Sequence, residues 1–98
     1  MFLIRDIFHC KPGQADKLAQ MFKNTIPSME QDDGFRNCQI MVDFVARYWT
    51  VVVQTEVDDL EKFEMHMISF RNRPEVKNAL AGYMDLVQGG EREIYRLR

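Results

Sequence analysis

Tyr48-Trp49-Thr50-Val51-Val52-Val53-Gln54-Thr55-Glu56 is the densest run of β-branched and aromatic residues in the chain, and such a run forms a strand. Alternation puts Tyr48, Thr50, Val52 and Gln54 on one face and Trp49, Val51, Val53 and Thr55 on the other. Neither face carries a charge before Glu56. A strand that is apolar on both sides is covered on both sides. The chain's own helices supply one cover, and the other calls for a second molecule.

Working outward, Phe35 to Phe44 alternates as a preceding strand, with Cys38, Ile40, Val42 and Phe44 on one face and Asn37, Gln39, Met41 and Asp43 on the other. Val45-Ala46-Arg47 is short enough to make these two strands an antiparallel hairpin, although it lacks glycine, asparagine and proline. Residues 2–10 form a first strand, with Phe2, Ile4, Phe8 and Cys10 on one face around Asp6, and Leu3, Ile7 and His9 beside Arg5 on the other. Pro12 and Gly13 end it. Ala15, Leu18, Phe22, Ile26 and Met29 recur at helical spacing and predict a helix over about Gln14 to Glu30, kinked or shortened by Pro27.

After the central strand, Asp58 or Asp59 caps a second helix, with Glu61 or Lys62 at its third position and Leu60, Phe63, Met67 and Phe70 along its apolar side. Arg71-Asn72-Arg73 ends it, and Pro74 opens a short third helix that buries Val76, Ala79, Leu80 and Tyr83. Glu91 to Arg98 alternates as a last strand. Gly89-Gly90 is either a hairpin turn or a loop leading into that strand, and we take the second.

The order of elements is βαββααβ, two strand-helix-strand units in series. This is the ferredoxin-like arrangement, an α+β fold with a four-stranded antiparallel sheet and its helices on one face. Right-handed crossovers put strands one and three, the most apolar pair, in the middle. The far face is predicted to be a mostly apolar patch contributed by three strands, too large to leave in water. A partner covering roughly 800 Å² per subunit would be standard. The gross hydrophobic gain is then on the order of 20 kcal/mol per side, much of it offset by association costs. A homodimer pairing sheet face to sheet face is the expectation.

Ninety-eight residues make one domain, 1–98. A net charge of −2 gives no general attraction to nucleic acid or to an anionic membrane. Met1-Phe2-Leu3-Ile4 is too short for a secretory core or a membrane span, so a cytoplasmic protein is expected. Cys10 and Cys38 form no disulfide framework and no metal-ligand spacing; reduced thiols near strand ends are expected. Met21, Met29, Met41, Met65, Met67 and Met84 all fall inside predicted elements, where thioethers fill irregular gaps in a core. No glycine-rich phosphate loop or nucleophile elbow occurs.

The layout, with the stretch Glu61-Lys62-Phe63-Glu64-Met65-His66-Met67-Ile68-Ser69, resembles the dimeric α/β-barrel superfamily, and within it the antibiotic-biosynthesis-monooxygenase-like group. Members of that group carry a helical histidine followed three residues later by serine, as His66 and Ser69 stand here. Asp33-Gly34-Phe35 is similar to the group's turn into strand two. The resemblance implies a dimer whose two sheets form a barrel, with a small apolar pocket between each sheet and its helices. It also implies cofactor-independent oxygenation of an aromatic or quinol-type substrate. The chain departs from the pattern at Val57, where the group often has tryptophan; Trp49 lies too far upstream to stand in for it. No asparagine lies on strand one, where heme-degrading relatives have one.

His66 lies on the flank of its helix's apolar stripe, where it would either orient and deprotonate a phenolic substrate or bond to backbone as a boundary histidine. Phe63, Trp49 and Tyr83 are the candidate walls of a site for a small apolar or aromatic ligand, against a default of core or dimer contact. His9 is placed at a solvent edge, and two histidines so far apart name no metal site. Asp6 and Asp43 interrupt apolar alternation and should be paired, with Arg5, Arg47 and Arg96 as candidates, or lie at a sheet margin. The alternative to an enzyme is a non-catalytic ligand-binding or dimerisation module.

Overall fold

The structure, a computed structural model, describes residues 1–98. Its elements are β1 (Phe2–Cys10), α1 (Ala15–Lys23), α2 (Ile26–Gln31), β2 (Arg36–Val42), β3 (Thr50–Val57), α3 (Leu60–Ser69), α4 (Pro74–Ala79) and β4 (Val87–Arg96). Single 3₁₀ turns, Phe70–Asn72 and Tyr83–Leu86, follow α3 and precede β4. The antiparallel sheet has the order β2-β3-β1-β4, so strands one and three are central as expected. Val51, Val53, Thr55 and Val57 of β3 and Ile4 of β1 are buried beneath the helices, against Leu18, Phe22, Met29, Phe70 and Val76.

The predicted first helix is two helices. Pro27 lacks an N–H, and its ring would strike the carbonyl four residues back, at Lys23, where α1 stops. Thr25 closes that end by donating from Oγ1 to the Phe22 carbonyl at 2.7 Å. The second helix is capped by Asp59, whose Oδ1 accepts from the Glu61 N–H at 2.9 Å. Pro74 occupies the first turn of α4, as its fixed φ favours.

Several expectations are corrected. The hairpin connection is residues 43–49 rather than 45–47, and β3 starts at Thr50 rather than Tyr48. Tight hairpin turns need at least one residue at positive φ, a place glycine or asparagine usually fills, and this segment has neither. Trp49 takes a left-handed φ of 60°, and the loop is closed instead by Asp43, whose Oδ1 accepts from the Thr50 N–H at 2.9 Å. Tyr48 and Trp49 are therefore exposed loop residues, beside Phe44, which is 99% exposed.

Gly89-Gly90 is neither a turn nor a loop but part of β4, paired with His9 and Phe8. A Cβ on Gly90 would lie 2.4 Å from the Ile7 carbonyl oxygen, so glycine is there for close strand approach. The methionines divide: Met29 is core, but Met65 and Met84 are exposed and fill nothing.

The far face of the sheet is more mixed than its alternation suggested. Leu3, Ile7, Met41 and Val52 are half-buried on it, and Tyr95 is exposed. Arg5, Gln39, Gln54, Glu56, Glu91 and Glu93 share that parity by register. The Arg5 Nε is inaccessible to water and has no partner. No helix is long and apolar enough to cross a membrane.

Candidate functional site

A cavity of about 180 Å³ opens between the helix side of the sheet and the helices. β1 contributes Asp6 and Phe8, α1 contributes Phe22, and α3 with its following turn contributes His66, Met67, Phe70 and Arg71. Leu80, Tyr83 and Arg92 complete the wall. The buried members Phe22, Phe70 and His66 form the floor, and the exposed Arg71 and Arg92 lie at the rim.

His66 is buried and held on both sides. Its ring is 4.4 Å from Phe70 and 4.8 Å from Phe35, centroid to centroid. Nδ1 lies 2.6 Å from Asp33 Oδ2. An ionised carboxylate only accepts, so Nδ1 donates, and a neutral imidazole then presents its lone pair at Nε2. Nε2 has no protein partner and is not sealed from solvent, and His66 is one of the residues that line the cavity. The carboxylate thus fixes both the tautomer and the ring plane.

Asp33 is itself gripped by Arg73, with Nη2 to Oδ1 at 2.6 Å and Nη1 to Oδ2 at 3.0 Å, a bidentate pair. Arg73 also donates to Ser28 Oγ and Ser69 Oγ, each at 2.9 Å. The hydrogen bond to Asp33 raises the Arg73 pKa above its ordinary value, against burial, which lowers it. Ser69 donates in turn to the Met65 carbonyl. The serine three residues after the histidine therefore reaches His66 indirectly, through Arg73 and Asp33.

The candidate residues separate. His66 and Tyr83 line the cavity. Phe63 is outside the lining, 6.2 Å from the His66 ring in a stacked orientation and beneath the Arg92 guanidinium at 5.1 Å. Trp49 lies in the 43–49 loop and lines no part of the cavity.

Asp6 is paired, but with Arg92 rather than with any of the arginines expected. Asp43 has no cationic partner and serves the loop instead. His9 is half-buried rather than at a solvent edge, between Thr50 Oγ1 at 3.3 Å and Glu91 at 3.0 Å. Cys10 and Cys38 are free thiols; Cys10 ends β1, whereas Cys38 is within β2. Asp33, Arg71, Arg73 and Arg92 escaped the sequence reading because each occupied a segment already explained as a turn, a helix end or a wet strand face. Only the paired charges flanking α2 and ending α3, Asp32-Asp33 and Arg71-Arg73, hinted at a bridge.

No protein-family profile and no curated protein matches the sequence. Solved structures do match. A candidate antibiotic biosynthesis monooxygenase from Chloroflexus aurantiacus superposes with a TM-score of 0.75 at 17% identity, covering 99% of this chain and 92% of its own. An uncharacterized NIPSNAP-like domain protein from Burkholderia xenovorans gives 0.81 at 16% identity, over 99% and 84% of the two chains. A NIPSNAP family protein from Agrobacterium tumefaciens gives 0.79 at 9% identity, over 99% and 92%. At such identities the likeness is one of architecture, and the chain shares the ferredoxin-like α+β fold of these structures.

Proposed function

We propose that this protein is a homodimeric α/β barrel that binds a small aromatic or quinol-type ligand in the cavity of each subunit, with His66 as the proton acceptor for a ligand hydroxyl. The observation that carries this reading is the open Nε2 of a histidine whose Nδ1 is fixed by a buried carboxylate. That arrangement offers an imidazole held in place by its carboxylate, with Phe8, Phe22 and Phe70 to hold a ring and Tyr83 to offer a further hydroxyl. Phe63 supports the back of the imidazole.

The activity most consistent with this arrangement is cofactor-independent monooxygenation. His66 takes the hydroxyl proton, and the resulting phenolate is a good electron donor to dioxygen. A ring C–H becomes C=O with one oxygen atom, and the other leaves as water, so the substrate supplies all the electrons. Oxygen uptake with a panel of quinols tests this, comparing the protein with His66→Ala. Faster uptake by the unaltered protein is expected, and equal rates would remove His66 from the chemistry.

The placement of Trp49 outside the cavity supports a second reading, a ligand-binding module without turnover. On that reading the same quinols raise the melting temperature while oxygen uptake stays at background.

Dimerisation draws support from the far sheet face, where Leu3, Ile7, Met41 and Val52 are incompletely covered and the Arg5 Nε lacks a partner. The exposed Phe44, Val45, Tyr48 and Trp49 extend the uncovered apolar surface. Sedimentation equilibrium at micromolar concentration gives the mass, and a monomer would sink the barrel assembly.

A further inference from the structure

We propose that the ligand of this cavity is a small aromatic carboxylate, inserted ring-first, with its carboxylate held at the rim by Arg71; the proposal rests on the reading of the cavity as a ligand site. The charges on the wall lead there. Besides His66 and the phenol of Tyr83 the wall holds three charged side chains, Asp6, Arg92 and Arg71. Asp6 and Arg92 neutralise each other through a hydrogen-bonded pair, and the Arg92 guanidinium lies over Phe63. His66 is already matched to Asp33, whose charge is also met by Arg73.

Arg71 is left over. It makes no hydrogen bond and no ion pair with any other side chain, yet it lines this cavity and the neighbouring one bounded by Val76, Lys77, Leu80 and Tyr83. An unpaired guanidinium at the mouth of an aromatic-lined cleft is complementary to a planar anion, because its fork matches both carboxylate oxygens.

Size narrows the class. A cavity of roughly 150 Å³ accepts benzene, so about 180 Å³ is room for one substituted ring. Depth sets the direction. His66 and Phe70 are buried at the floor and Arg71 is exposed, so a ring hydroxyl would face Nε2 with the carboxylate at the opposite end. The ligand chemistry that fits both ends is a hydroxybenzoate.

The test is a titration of the full-length protein with 4-hydroxybenzoate and with its neutral counterpart 4-hydroxybenzamide, followed by NMR shifts of the Phe8, Phe22 and Phe70 rings. The acid should bind about tenfold more tightly than the amide, the worth of a charge-assisted pair. Arg71→Gln should abolish that preference by weakening the acid far more than the amide, and Arg71→Lys should keep part of it. Arg71 has no structural partner to lose, so both variants should fold. Equal binding of acid and amide, or a preference that survives in Arg71→Gln, overturns the anionic-ligand proposal and leaves the cavity reading standing. Absence of ring shifts with either compound overturns both.

Discussion

Replacing Asp33 by Asn leaves the shape of the side chain and removes its charge from between Arg73 and His66. The carboxylate is 3% exposed and Arg73 16%, so the substitution leaves a largely desolvated guanidinium without its counter-ion. Breaking such a pair from one side costs about 3–5 kcal/mol. The lower end applies here, because Ser28 and Ser69 still accept from Arg73 and the Asp32 carboxylate stands 3.8 Å away. A loss of about 3 kcal/mol is expected, a large part of the total stability of a domain this size. With a urea slope of roughly 1–1.5 kcal/mol/M, the midpoint should fall by about 2–3 M. Urea melts followed by far-UV dichroism measure this directly. The variants Arg73→Met and Asp33→Asn/Arg73→Met complete the cycle: removing both charges should cost no more than removing Asp33 alone, so the coupling equals or exceeds the loss from Arg73→Met by itself, about 2 kcal/mol. A single-variant loss below about 1 kcal/mol, or strict additivity in the cycle, would refute the claim that this pair is a buried anchor.

Further outcomes follow from other parts of the molecule. Gly90→Ala should cost about 1–3 kcal/mol, because the added methyl meets the Ile7 carbonyl oxygen, whereas Gly89→Ala meets nothing within 4 Å and should be nearly neutral; similar melts for the two would return the pair to a turn or loop. Val52→Arg on the far sheet face should shift the sedimentation mass from dimer to monomer while the far-UV spectrum is kept. Burial, with Glu30 and Asp33 adding negative potential, pushes the Cys38 thiol up to about 11. A thiol whose folded pKa is raised holds its proton past the unfolded value, so Cys38 should stay unreactive to iodoacetamide at pH 8 and alkylate faster towards pH 11. Rapid labelling of the folded protein at pH 7 would contradict its burial.

What the sequence displayed well was periodicity. Val51, Val53 and Thr55 alternate, Leu18 and Phe22 are one turn apart, and Pro74 opens a helix, so the order of elements and the central strands could be read directly. Local chemistry misled where a residue type has two uses. Gly89-Gly90 looked like a turn because glycine permits turns, but here its missing side chain lets β4 approach β1. Tyr48 and Trp49 carry strand propensity, but the positive φ of Trp49 and the Asp43–Thr50 closure place them outside the ladder. Propensity is an average over contexts, and a loop without glycine is a context that overrides it.

The histidine was visible but its partner was not, and the reason is physical. Asp33 and His66 are 33 residues apart, and no spacing rule links a carboxylate after α2 to an imidazole on α3. What links them is the cost of burial: a carboxylate and an imidazole packed under the same helices must find each other or a cation. Arg73 meets that demand from the turn after α3, which ties the entry to β2, the last turn of α3 and the start of α4 into one unit. The same tie fixes Nδ1 of a cavity-lining histidine, so the stability of this corner and the setting of the imidazole depend on one carboxylate. Asp33→Asn should accordingly disturb ligand binding less than it disturbs folding, because an asparagine oxygen can still accept from Nδ1 and keep the imidazole plane. Asp33→Leu removes that acceptor as well and should weaken binding of a phenolic ligand beyond what Asp33→Asn does, in titrations run well below the melting midpoint of each variant. Equal affinities in the two variants would show that Phe35 and Phe70 hold the ring by packing alone.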